Sequence, residues 1–138
     1  MTDGPDRIRW IYPVVGGVIA QGLTIASIIL VAGLTGHGRP LPDGSLDDVA
    51  ATIAAVMGPS VGSILCYLLG WWAARQAGGR FEVHGGLVGV AAAVLTAIAA
   101  FAGSSRRPAS FAVAIALELL AGRAGGATAR RMAERKPA

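Results

Sequence analysis

Few residues in this chain can do chemistry, and Glu118 is the one whose setting demands most. It stands at the middle of an otherwise apolar stretch, Pro108 to Ala129. A carboxylate at the centre of a bilayer costs about 3 kcal/mol on insertion scales. Packing chemistry or function must offset that cost. Counting from segment centres puts Gln21, Ser60, Ser63 and Glu118 at one depth, with Thr24 one helical turn from Gln21. Polar groups in hydrocarbon must find partners inside the protein. These residues are therefore expected to face one interior as a midplane polar cluster.

Burial without a neighbouring cation favours the neutral carboxyl. A neutral Glu118 donates to Gln21 or a serine and accepts a second bond. Three roles fit it. It is a polar staple, each bond being worth about 1 kcal/mol. Or it is a proton or cation site, with Gln21 and Ser63 supplying oxygens. Or it meets an arginine or lysine of another membrane subunit. Arg123 is a poor partner, because five residues turn a helix by about 140° and good pairs lie three or four apart. It is expected to snorkel to the headgroups instead.

The other reactive residue types do not assemble an enzyme. There is no Ser-His-acid set, metal-ligand spacing or phosphate-binding glycine loop. His37 and His84 are expected on opposite sides of the membrane. Cys66 is the one cysteine, so it forms no internal disulfide or cysteine-based zinc site. It reads as a small buried apolar residue. No catalytic residue, metal or cofactor is expected.

The elements that carry these residues are long and apolar. Trp10 to Leu34, Val49 to Ala74 and Val83 to Ser105 are charge-free runs of 25, 26 and 23 residues. A spanning helix needs about 20 residues to cross a core roughly 30 Å thick. Spans are expected at about 10–34, 49–74, 83–103 and 108–129, the last tolerating Glu118 and Arg123. A soluble helical bundle needs charges recurring along a polar face, and the first three runs have none to place there. The first run also exceeds the roughly 7–15 residues of a signal-peptide core, and no A-x-A-like cleavage site follows it. The expected fold is all-α: an integral membrane four-helix bundle in a single domain, 1–138, built from two antiparallel helical hairpins.

The formal net charge is +4, but the basic residues sit at the ends of apolar runs and form no nucleic-acid-binding stripe. Arg7, Arg9, Arg75, Arg80, Arg123, Arg130, Arg131, Arg135 and Lys136 fall on one side of a four-span chain, and Arg39, Arg106 and Arg107 on the other. The positive-inside rule then puts both termini in the cytoplasm. Eleven arginines against one lysine, with abundant Ala and Gly, is a bias associated with GC-rich bacterial genomes. The expected location is a bacterial plasma (inner) membrane.

Local signals place the helix ends. Ser45, Asp47 and Asp48 suit an N-cap and first turn of span two. Gly78-Gly79 suits a C-cap, and Pro108 the first position of span four. Pro13 lies in a first turn, and Pro59 is expected to kink span two. Trp10, Tyr12, Trp71 and Trp72 fit an interfacial aromatic belt. His84, at the inner start of span three, reads as an interfacial hydrogen-bonding group.

Small residues four apart recur in every span: Gly16 and Ala20, Gly58 and Gly62, Gly85 and Gly89, Gly122 and Gly126. That spacing lets helix backbones approach closely. Glu118 shares its face with Phe111, Ala114, Ala121, Gly122, Gly125 and Ala129. A parallel internal repeat is also expected. Gly16-Gly17 matches Gly85-Gly86, and Gly70…Ala74-Arg75 matches Gly125…Ala129-Arg130, which aligns Ser63 with Glu118.

The expected function is a non-enzymatic structural or accessory membrane subunit, partnered by the lipid bilayer and by a second copy or another membrane subunit. The alternative is a small transporter or channel subunit coupling proton or cation movement to Glu118.

Overall fold

The computed structural model describes residues 9–37, 42, 48–102 and 108–135. They form four helices: α1 (Ile11–Leu34), α2 (Asp48–Ala77), α3 (Phe81–Ala102) and α4 (Pro108–Glu134). Each is long and apolar enough to cross a membrane. Large apolar side chains face outward along them, among them Ile11, Val18, Ile29, Val56, Ile98, Phe101 and Leu120. The interior holds small residues instead: Ala20, Cys66, Ala73, Ala74, Ala92 and Ala129. That distribution suits lipid, where apolar surface gains little by burial and close packing drives association.

The helices outrun the expected spans by two or more residues at three ends. α2 continues to Ala77, α3 begins at Phe81, and α4 continues to Glu134. Charged residues end an apolar run without ending its hydrogen-bond ladder. Arg75, Glu82 and Arg131 lie in terminal turns, where their signs complement the helix dipole. Gly78 follows α2 with φ +70, the left-handed conformation of a glycine C-cap. Arg80 also has positive φ, +45, a strained choice for a non-glycine residue. Its carbonyl oxygen receives the Val83 and His84 backbone N–H groups at the start of α3. α2 stays helical through Pro59, which is buried. Asp48 takes the first turn of α2 as expected. Ser45, Asp47, Arg7, Arg39, Arg106, Arg107 and Lys136 lie outside the described residues.

α1 packs against α2 and α3, α4 packs against α2 and α3, and α2 touches α3; among the described residues, α1 and α4 do not meet. The closest approaches run through glycine. A methyl group built on Gly85 would stand 2.5 Å from the Gly122 carbonyl oxygen and 2.7 Å from the Gly126 Cα. One built on Gly89 would stand 2.5 Å from the Glu118 carbonyl oxygen. The pairs Gly85/Gly89 and Gly122/Gly126 thus meet each other across α3 and α4. Gly70 approaches Gly122, and Gly125 lies against Tyr67 and Trp71, so α4 is also tight against α2. Gly16 packs on Val88 and Leu69, while Ala20 is buried in the core. The remaining pair divides. Gly62 faces Glu118 and Thr24, whereas Gly58 has nothing within 4 Å.

At the end of the molecule where α1 begins, Tyr12 meets Trp72 edge-on with ring centroids 6.1 Å apart. Arg75 lies 5.0 Å from the Trp71 ring centroid. Glu82 pairs with Arg130 at 2.6 Å and with Arg123 at 3.8 Å. Arg123 does point outward, being 74% exposed, but it reaches a carboxylate of α3 rather than standing alone.

Candidate functional site: a buried polar cluster

Glu118 is 1% exposed. Its helix face is set by small residues: Ala114, Gly122, Gly125 and Ala129 are buried beside it, and Phe111 and Ala121 are half-buried. Successive contacts run in opposite order along α3 and α4, with Gly85 near Gly126 and Gly89 near Glu118. A helical side chain leans toward its own N-terminus. The Glu118 carboxyl therefore extends toward the later turns of α3, and there it meets Thr96.

The Thr96 hydroxyl lies 3.0 Å from both carboxyl oxygens of Glu118. Thr96 Oγ1 in turn accepts a bond from Gln21 Nε2, and the same nitrogen donates to the Ala92 carbonyl oxygen at 3.4 Å. One chain of hydrogen bonds thus crosses α1, α3 and α4. It links two helices, α1 and α4, whose backbones do not come close to each other among the described residues. Thr24 is 3% exposed, and its hydroxyl donates to the Ala20 carbonyl oxygen at 2.8 Å. A methyl group built on Gly62 would stand 3.2 Å from Glu118 Oε1 and 3.6 Å from Thr24 Oγ1. Cys66, one turn further along α2, is fully buried beside Ala20 and Ala92. Glu118 makes no ion pair among the described residues.

Gln21, Thr24 and Glu118 are thus gathered at one place, and Ser60 and Ser63 are not. Ser60 is exposed and donates to the Val56 carbonyl oxygen at 2.8 Å. Ser63 is half-buried and donates to the Ser60 carbonyl oxygen at 2.9 Å. A serine satisfies its hydroxyl on its own helix at little cost, so shared depth did not force either side chain inward. α2 presents Pro59, Gly62, Cys66 and Gly70 to the interior instead. Thr96 is the residue that counting depth in three spans missed. It is the lone hydroxyl residue of α3, and extending the count to the third span finds it.

A second buried polar centre lies at the opposite end of α3. His84 is 1% exposed. Its Nε2 accepts the Arg9 backbone N–H at 3.1 Å, and its Nδ1 lies 3.1 Å from the Arg80 carbonyl oxygen. Nε2 must be bare to accept, so Nδ1 carries the hydrogen and donates. His37 follows the far end of α1, so a 24-residue helix separates the two histidines. Among the described residues, no three of His, Cys, Asp and Glu gather as metal ligands would.

Compared with known protein families, curated proteins and solved structures, the chain matches none.

Proposed function

We propose that the chain is a small integral protein of a bacterial plasma membrane, acting as a non-enzymatic structural or accessory membrane subunit. One observation carries this reading. The buried Glu118 carboxyl ends a hydrogen-bond chain through Thr96 to Gln21, which fixes three helices around one point. A fully buried carboxyl held this way is a packing device first. The glycine contacts of α4 with α2 and α3 support the same role.

The architecture we infer is an integral four-helix bundle of two antiparallel hairpins. The order of contacts supports it. Gly16 lies near Leu69 and Thr24 near Gly62, as antiparallel α1 and α2 require. Gly85 lies near Gly126 and Gly89 near Glu118, as antiparallel α3 and α4 require. The repeat reading draws support from Gly70 and Gly125, matched positions that are each buried against the other's helix. Gly16 and Gly85 are likewise both buried. The basic-residue asymmetry supports cytoplasmic termini. Gly22 and Gly33, with open space at their helix faces, leave α1 room for a second copy or another subunit. Crosslinking in native membranes is expected to capture such a partner. Recovery of monomers alone would remove the subunit role.

The transporter or channel reading draws on a different observation, the lack of an ion pair at Glu118 among the described residues. Glu118→Gln separates the two readings, because the amide keeps hydrogen bonding and cannot ionise. In reconstituted vesicles the structural reading expects no cation flux from either form, and a folded variant. A flux present in the parent protein and lost in a folded Glu118→Gln variant would establish the transport reading instead.

A further inference from the structure

We propose that Glu118 is a reversible proton-binding group flanked by two hydroxyls of opposite polarity, Thr96 serving the ionised carboxylate and Thr24 the protonated acid. This rests on the reading of the four helices as membrane spans, and it does not require transport. The directions of the hydrogen bonds lead to it. The Ala92 carbonyl oxygen can only accept, so it fixes the Gln21 amide with its nitrogen toward α3. That nitrogen also donates to Thr96 Oγ1. Thr96 therefore accepts from α1, and its own hydrogen is left to point onward. Thr24, Ser60 and Thr128 each donate to the carbonyl four residues back. Thr96 donates to the Glu118 carboxyl instead.

Thr24 has the reverse polarity. Its hydrogen is committed to the Ala20 carbonyl oxygen, so only its lone pairs remain. Thr24 Oγ1 and Glu118 Oε1 face the same bare spot on Gly62, 3.6 Å and 3.2 Å from where a methyl group would sit. No side chain at that position parts them. On this proposal, a proton on Oε1 turns across Gly62 toward Thr24 Oγ1, whose own hydrogen is already given to Ala20. Both protonation states then have a partner, as buried polar groups require. α1 and α3 present uncharged groups here, Gln21, Thr24 and Thr96, and α2 presents the Cys66 thiol. No arginine, lysine or histidine pairs with the carboxyl among the described residues.

The test is infrared difference spectroscopy of the whole protein in lipid nanodiscs across a pH series. The Glu118 carboxyl band is assigned by its loss in Glu118→Gln. Thr24→Val is expected to lower the proton affinity of Glu118, and Thr96→Val to raise it, each by about one pH unit, or tenfold. Gly62→Ala, which puts a methyl group 3.2 Å from Glu118 Oε1 and 3.6 Å from Thr24 Oγ1, is expected to act like Thr24→Val. Opposite signs from two threonines are more than a packing role would produce. Thr24→Ser and Thr96→Ser, which keep the hydroxyls, should titrate as the parent does and cover a valine variant that fails to fold. Shifts in the same direction, or a band that does not titrate while the protein stays folded, overturn the proposal. A carboxyl that titrates as an ordinary solvated acid, indifferent to both threonines, contradicts the membrane reading beneath it.

Discussion

Thr96 is the residue on which the cluster turns, because it is the only member that bonds on both sides. Thr96→Val removes a donor from Glu118 and an acceptor from Gln21 together. The expected loss is about 1–3 kcal/mol of stability, the cost of stranding buried polar groups. Ser60→Ala, at a comparable depth, should change stability by less than about 0.5 kcal/mol, because Ser60 is exposed and bonds only its own helix. Unfolding both variants in the same detergent compares them directly. Equal losses would mean that depth, not contact, determines the value of a hydroxyl here. Glu118 and Gln21 were legible in the sequence because a carboxyl and an amide cannot be satisfied by their own helix as readily as a hydroxyl can, and Thr24 followed as the residue one turn from Gln21. The exclusion of Ser60 and Ser63 was not legible, since it depends on which face α2 turns inward.

At the scale of helices, glycine spacing carried much of the information and also its main error. Gly85, Gly89, Gly122 and Gly126 form one contact between α3 and α4. Gly122→Ala would drive a methyl group to 2.6 Å from the Gly85 carbonyl oxygen. It should cost about 1–3 kcal/mol by overpacking. Gly58→Ala meets open space and should stabilise α2 by roughly 0.5–1 kcal/mol. Thermal unfolding in lipid checks both, and a neutral Gly122→Ala would deny the close approach. Spacing alone could not separate these glycines, because the same motif serves a helix contact and a lipid-facing surface. The interior face of α4 was different. Ala114, Gly122, Gly125 and Ala129 follow from Glu118 by helix geometry alone, and all four are buried. His84 makes a further prediction at this scale. His84→Phe leaves the Arg9 N–H without its partner and the Arg80 carbonyl with one bond fewer. Faster hydrogen exchange at Arg9 should follow, and unchanged protection there would contradict the bond.

For the whole molecule, three long apolar helices were plain from uninterrupted runs without charge, and the fourth was read despite Glu118 and Arg123, while their mutual arrangement was not plain. Which helices touch is decided by side-chain shape, and the sequence offered only small-residue pairs in each span. The structure separates α1 from α4 and lets α2 and α3 contact both. Outward Phe101, Leu120 and Ile29 present apolar surface on α3, α4 and α1, as helices long and apolar enough to cross a membrane would. A reporter fused to the C-terminus is expected to be active only on the cytoplasmic side, and activity only outside would reverse the orientation. The polar chain from Gln21 through Thr96 to Glu118 joins helices whose backbones do not come close to each other among the described residues. The most direct test is therefore a double-mutant cycle between Gln21→Leu and Glu118→Leu, read by reversible unfolding in lipid. A coupling of roughly 0.5–1.5 kcal/mol is expected, within the range of interhelical hydrogen bonds in membranes. Strictly additive losses would contradict the staple, since they would show that α1 and α4 do not sense each other through Thr96.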